Sequence, residues 1–190
     1  MGAPFFDLDK VIAGCCSSDR NCQRQLYEHF YAYGMNICLR YSHDRDEAAE
    51  ILNQGFFKVL VSISQFDNTR TFRFWLRTIL VHTAIDHIRS RYRFSVFEEW
   101  NPEMENGMEE MPDPVIEPDQ DVLPILQQLS PAYRTVFNLY IMEEYSHREI
   151  GEILGISPAS SRSNLARAKE QLREILHRTS FTVLKSNKNG

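Results

Sequence analysis

Residues 146–162 read Ser-His-Arg-Glu-Ile-Gly-Glu-Ile-Leu-Gly-Ile-Ser-Pro-Ala-Ser-Ser-Arg. Ser146 precedes Glu149 by three residues, the spacing at which hydroxyl and carboxylate cap each other's backbone N–H groups, so a helix begins at His147. Gly155 suits the left-handed residue that closes such a helix, and Pro158 is pre-set for the first turn of the next. Two helices joined by a three- or four-residue turn containing glycine form a helix-turn-helix, whose second helix enters the DNA major groove. Here that helix begins Pro158-Ala159-Ser160-Ser161-Arg162-Ser163-Asn164 and continues through Arg167, Lys169 and Arg173. Ser160 and Ser161 allow close approach, Arg162 can fork onto guanine or a phosphate, Asn164 can pair with adenine, and Arg167 and Lys169 supply charge. Leu165, Ala168, Leu172 and Ile175 lie on the inward face at helical spacing.

Upstream, residues 123–129 read as a short helix, and Ser130-Pro131 starts another that extends to Met142. This C-terminal domain covers residues 122–178, with a polar tail over 179–190. Before it, residues 94–121 hold ten acids, no Lys or Arg, and four prolines (Pro102, Pro112, Pro114, Pro118), without helical or alternating apolar period. That composition predicts an acidic linker. The chain's formal charge of −5 belongs to this segment, and the remainder is net basic, as a nucleic-acid partner requires.

Residues 7–93 form the N-terminal domain. Leu26, Phe30, Tyr33, Ile37 and Tyr41 mark one amphipathic helix. Asp44 or Asp46 caps a second that carries Ala48, Ile51, Leu52, Phe56, Val59, Leu60 and Ile63. Gly55 inside it predicts close approach of a backbone or an aromatic ring. Thr69 or Thr71 caps a third, bearing Phe72, Trp75, Leu76, Ile79, Leu80, Ala84 and Ile88. No segment alternates as a strand does, so the fold class is all-α: two small helical domains joined by an acidic, proline-rich linker. Residues 70–93 contain six arginines and one acid, Asp86, interleaved with Phe72, Phe74, Trp75 and Tyr92. Rings that stack on bases and arginines that track phosphates suit an unpaired strand, although Phe72, Trp75 and Leu76 are better placed in the core.

Other function classes find little support. The four cysteines (Cys15, Cys16, Cys22, Cys38) lack the paired short spacings of a zinc site and read as small thiols in a reducing compartment. There is no apolar run of membrane-spanning length and no secretion signal, which predicts a cytoplasmic protein. No cofactor is called for. His82 and Asp86, four apart on one helix, could start an enzymatic reading, but no nucleophile or phosphate-cradling loop accompanies them.

Residues 46–59 (Asp-Glu-Ala-Ala-Glu-Ile-Leu-Asn-Gln-Gly-Phe-Phe-Lys-Val), then Phe66, residues 72–79 (Phe-Arg-Phe-Trp-Leu-Arg-Thr-Ile) and 86–89 (Asp-His-Ile-Arg), resemble region 2 of extracytoplasmic-function sigma factors of the sigma-70 family. Residues 129–137, 145–150 and 161–168 resemble region 4 of the same family. The resemblance implies a non-enzymatic factor that binds core RNA polymerase and directs it to promoter DNA. It implies that Asp46, Glu50, Asn53 and Phe56 meet the clamp helices of the polymerase's largest subunit. For the minus-ten element it implies Asp67, Asn68, Arg70, Arg73, Arg77, His82 and Arg89, and for the minus-thirty-five element the helix at 158–169. It also implies an anti-sigma factor as a regulatory partner of many members, and a linker that threads through core polymerase toward the RNA exit path. Three positions depart from the family pattern: Asn53 replaces glutamine, His82 replaces asparagine, and Glu144 replaces glycine in a surface turn where it is expected to be harmless. A competing reading is a two-domain helix-turn-helix regulator whose N-terminal domain senses a ligand or partner. The arginine and aromatic helix speaks against it.

Overall fold

The computed structural model describes residues 6–92 and 122–186, and the acidic linker at 94–121 lies outside the described residues. Every regular element among the described residues is helical. The chain divides into two compact units, Met1–His87 and Ile88–Gly190.

The first unit opens with α1 (Leu8–Cys16), which the sequence reading did not anticipate; Asp7 caps it by accepting from Lys10 N. α2 (Arg20–Leu39) starts at Asp19, whose carboxylate accepts from Asn21 N and Cys22 N, and the two helices pack as a hairpin. Leu26, Phe30, Ile37 and Cys38 of α2 face the core, whereas Tyr33 is half-exposed. Burial pushes the Cys38 thiol up to about 12 and that of Cys15 up to about 11, so both stay protonated at neutral pH.

α3 (Arg45–Ser62) is capped by Asp44. One oxygen of Glu47 accepts from His43 N at 2.6 Å, while the other lies 3.3 Å from His87 Nε2 of α4 (Phe72–Tyr92). Both side chains of that pair are less than 10% exposed, so α3 and α4 are joined by a buried polar link. Higher in the seam, a Cβ at Gly55 would collide with the Leu80 side chain and come 3.7 Å from the Thr83 hydroxyl. The close neighbour is thus an aliphatic side chain, not the backbone or aromatic ring expected from sequence. Asp86, paired in the sequence with His82, instead bonds Lys58 of α3 at 3.0 Å.

The second unit holds α5 (Val122–Leu126), α6 (Pro131–Phe137), α7 (His147–Leu154) and α8 (Pro158–Ser186). Ser130 caps α6 through Tyr133 N, with Pro131 at the first position. The expected regular helix to Met142 is interrupted: a π turn over Asn138–Met142 widens it, with Glu143 N donating to Asn138 O. α6 and α7 pack on α8, burying Val136, Phe137, Leu139, Ile150, Leu165, Ala168, Leu172 and Ile175. α8 runs on through Ser186, past the end expected at 178.

Glu144 sits at φ 61, the left-handed region, on an exposed turn. This corrects the expectation that its replacement of glycine is harmless, because a side chain there costs energy that glycine does not. Glu144→Gly is expected to stabilise the second unit by about 1 kcal/mol, net of the extra freedom glycine has when unfolded. A rise of a few degrees in the thermal midpoint would show it. An unchanged or lower midpoint would mean the turn tolerates glutamate.

Candidate nucleic-acid and polymerase interfaces

In the first unit, one face of α3 is open. Asp46, Glu50 and Asn53 are exposed along it, with Asn53 Oδ1 accepting from Tyr27 Oη at 2.8 Å and Glu50 accepting from Gln54 at 3.1 Å. Phe56 is not part of that face. It is 3% exposed, and its ring packs edge-on against Tyr27 at 4.8 Å. Helical phase puts residue 56 in line with Ala48, Leu52 and Val59, which corrects its assignment as a surface contact. The exposed apolar residues are Phe57 at 70% and Val61 at 68%, four apart on the outer face. Exposed large apolar side chains side by side mark an interaction surface more often than they occur by chance.

The turn after α3 is built on rings. Phe66 lies 5.4 Å from Phe72 and 5.3 Å from Trp75, and Phe72 lies 4.9 Å from Phe30. Above that base, Asp67 accepts from both the N–H and the hydroxyl of Thr69, and these bonds hold its carboxyl below the usual carboxylate range. Asn68 and Arg70 are exposed. A cavity of about 430 Å³ opens between the turn and α2, with Phe30, Phe66 and Phe72 as walls and Asn68, Arg70 and Arg73 at its edge. The Arg73 guanidinium rests over the Tyr33 ring, 5.2 Å from its centroid, and Tyr33 Oη donates to Arg73 O. Arg77 is half-buried, and His82 and Arg89 are exposed further along α4.

In the second unit the turn between α7 and α8 is closely set. The Ser146–Glu149 capping box is present in both directions, and Gly155 takes φ 71. A Cβ at Gly151 would come within 2.7 Å of Ile156 O, so that glycine lets the turn fold back onto α7. Ser157 starts α8, accepting from Ser160 N at 2.9 Å.

Ser160, Ser161 and Asn164, assigned to DNA from sequence, are 7%, 0% and 7% exposed. They fall in phase with Leu165 and Ala168 and face inward; Ser160 bonds Ser157, and Ser161 Oγ lies 2.9 Å from His147 Nδ1. Short polar side chains beside arginine look like a contact surface, but here they are buried, and Ser161 joins α8 to α7. Arg162 is exposed, and Arg167, Lys169 and Arg173 are half-exposed on the outer side.

His147, which the sequence reading placed only as the first residue of α7, is central to the joint. Its ring stacks on Tyr140 at 4.5 Å, and its pKa is lowered, first by burial, then by Arg162 and Lys169. In the unfolded chain the ring binds its proton near the ordinary 6.5, and in the folded unit only at lower pH. The folded state is therefore fully favoured above about 6.5 and loses stability as pH falls below it. Thermal melts from pH 7.5 to 5.5 are expected to show that loss in the native chain and a smaller one in His147→Gln. Equal slopes would remove the histidine from the account.

One unit thus presents a helix-turn-helix with an arginine-bearing face, and the other a basic helix backed by an aromatic cluster. The family model of sigma-70 region 2 matches residues 26–94, and that of sigma-70 region 4 matches residues 120–172. The sigma factor SigW of Bacillus subtilis is 30% identical over 152 residues, covering 74% of this chain and 81% of SigW. CarQ of Myxococcus xanthus, an RNA polymerase sigma factor, is 30% identical over 131 residues, covering 68% and 74%. SigV of Bacillus subtilis is 28% identical over 138 residues. The chain belongs to the sigma-70 family of RNA polymerase sigma factors, in its extracytoplasmic-function group. It binds core RNA polymerase and directs promoter-specific transcription initiation. No helix among the described residues is long and apolar enough to cross a membrane.

Proposed function

We propose that each unit carries one half of promoter recognition, residues 7–93 for the minus-ten element and residues 122–178 for the minus-thirty-five element, with the acidic linker at 94–121 between them. The observation that carries this reading is the exposure of arginine beside a fixed support in both units: Arg73 over Tyr33 in the first, Arg162 beside the His147–Ser161 joint in the second. Arg162, Arg167 and Lys169 make the minus-thirty-five contacts. Ser161, bonded to His147, sets the angle of α8. Asp67, Asn68, Arg70, Arg73, Arg77, His82 and Arg89 line the minus-ten side, where Asp67 shapes the turn and the arginines meet phosphate or base.

The polymerase surface is the open face of α3. Phe57 and Val61 form its apolar centre and Asp46, Glu50 and Asn53 its polar edge, facing the clamp helices of the largest subunit. The protein acts in the bacterial cytoplasm, where core polymerase and promoter DNA are found, and contributes no catalytic group of its own. Run-off transcription with core polymerase on genomic fragments tests the whole reading. Discrete transcripts that share two spaced sequence elements upstream are expected, and core alone producing the same transcripts would defeat it.

A further inference from the structure

Three cysteines stand where α1 turns into α2: Cys15 and Cys16 end α1, and Cys22 lies in the first turn of α2. Ser17, Ser18 and Asp19 separate the helices and are tied back onto α1, with Ser18 N donating to Cys15 O at 2.9 Å and Asp19 N to Gly14 O at 3.0 Å. Ser18 takes φ 60 to close the turn, and Asp19 then caps α2. The helices approach so closely here that a Cβ on Gly14 would lie 2.8 Å from Cys22 Cβ and collide with the Cys22 sulfur. Gly14 therefore marks the side of α1 that meets Cys22. Cys15 is about 100° further round the helix and Cys16 about 200°, so Cys15 lies beside that contact and Cys16 points away from it. Burial agrees: Cys15 is 3% exposed, Cys22 is half-buried and Cys16 is exposed.

We propose that Cys15 and Cys22 are a redox pair that a peroxide closes into a disulfide, pinning α1 to α2. The pair goes beyond promoter recognition and does not depend on it. Cys22 reacts first, because part of its side chain is open to solvent. Its thiolate sulfur attacks one peroxide oxygen, the O–O bond breaks, and the hydroxide released takes up a proton and leaves as water, so that Cys22 becomes a sulfenic acid. The Cys15 sulfur then attacks the Cys22 sulfur, its proton passing to the departing oxygen; the S–O bond breaks and a second water leaves. The two sulfurs together give up the two electrons that reduce the peroxide. Cys15 does not start the reaction, since burial, then the charge of Cys22 ahead of that of its chain neighbour Cys16, push its thiol up to about 11. A cavity of about 490 Å³ adjoins Cys15 and gives its side chain room to change rotamer toward Cys22. Cys38 is fully buried, with its thiol pushed up to about 12, and takes no part. In a reducing compartment such a bond forms transiently, while oxidant is present, and so reports on it.

The test treats the full chain, reduced beforehand, with stepwise additions of hydrogen peroxide and reads the peptides by mass spectrometry without reducing agent. The expected product is a single linkage between Cys15 and Cys22 within one chain, lighter than the free pair by the two hydrogens lost and reversed by dithiothreitol. It should persist in Cys16→Ser, which removes the ambiguity between neighbouring thiols, and vanish in Cys22→Ser and in Cys15→Ala. Circular dichroism checks each fold, and Cys22→Ser, at a half-buried position, serves if Cys15→Ala does not fold. Amide hydrogen exchange over residues 8–16 should slow by roughly tenfold or more when the native chain is oxidised, because the bond restrains opening of the hairpin, and should not change in Cys22→Ser. Linkage through Cys16, disulfide-joined dimers as the main product, or oxidation of the cysteines singly to sulfinic acids overturns the proposal. Exchange in α1 that is the same before and after oxidation overturns it equally.

Discussion

Holoenzyme formation is expected to collapse in the double variant Phe57→Asp with Val61→Asp. Both side chains stand more than two-thirds exposed on one face of α3, so replacing them removes no internal packing and leaves the fold intact. Buried aromatic and aliphatic anchors at interface centres each contribute about 2 kcal/mol or more, and a carboxylate forced into such a centre adds a desolvation cost. Together the two changes should lower affinity for core by about a thousandfold or more. The charge variants Asp46→Lys and Glu50→Lys sit at the edge of the same face. Their effect should be smaller and should depend on salt. Phe56→Ala is the informative contrast: it empties a packed site, so it should cost about 3 to 5 kcal/mol of stability while changing core affinity little in the fraction that remains folded. Fluorescence titration of core, with circular dichroism on each variant, separates these outcomes. Native affinity in the double aspartate variant would move the polymerase surface elsewhere.

Arg162→Ala carries the second large effect. The residue is exposed near the start of α8, where docking geometry brings side chains against base edges or flanking phosphates. Losing a bidentate base contact should cost about 1 to 3 kcal/mol, or roughly 5- to 150-fold in promoter affinity. Association with core should not change. A base contact makes the loss depend on one position of the minus-thirty-five element, while a phosphate contact weakens every sequence alike and flattens the salt dependence. Unaltered transcription in a variant with alanine at both Arg162 and Arg167 would mean that α8 does not read DNA.

Much of the second unit could be read from its caps. Ser130-Pro131, the Ser146–Glu149 pair, Gly155 and Pro158 each determine a backbone angle or a hydrogen bond on their own, independently of what packs around them. Local chemistry of that kind survives in any context. Side-chain direction is another matter, since it depends on phase. Phe56 and Phe57 are adjacent and chemically the same, and only the 48–52–56–59 stripe separates the buried ring from the exposed one. The motif resemblance drew attention to Phe56 as a contact although its own spacing placed it inside. Ser160, Ser161 and Asn164 are ambiguous for a related reason: small polar residues fit a DNA surface and a buried helix face equally well. The partner that holds Ser161, His147, lies fourteen residues earlier, beyond the reach of pattern. α1 carries a signal of its own, since Asp7 caps it and Val11, Ile12 and Cys15 share one face, but nine residues make a short stripe.

The link from His147 to Ser161 makes the segment between α7 and α8 a ruler of fixed length. An α-helix advances about 100° per residue, so a residue added or removed inside α8 between Arg162 and Leu165 would swing the Arg162 guanidinium by about that angle relative to the buried Leu165–Ala168–Leu172 face. One such step would carry it from the outer face toward the seam, and no change of side chain could restore it. Under the proposed minus-thirty-five role, specificity is held in a count of residues as much as in their identity: substitutions along this stretch retune which sequence is read, whereas insertions and deletions inside the helix erase the reading altogether.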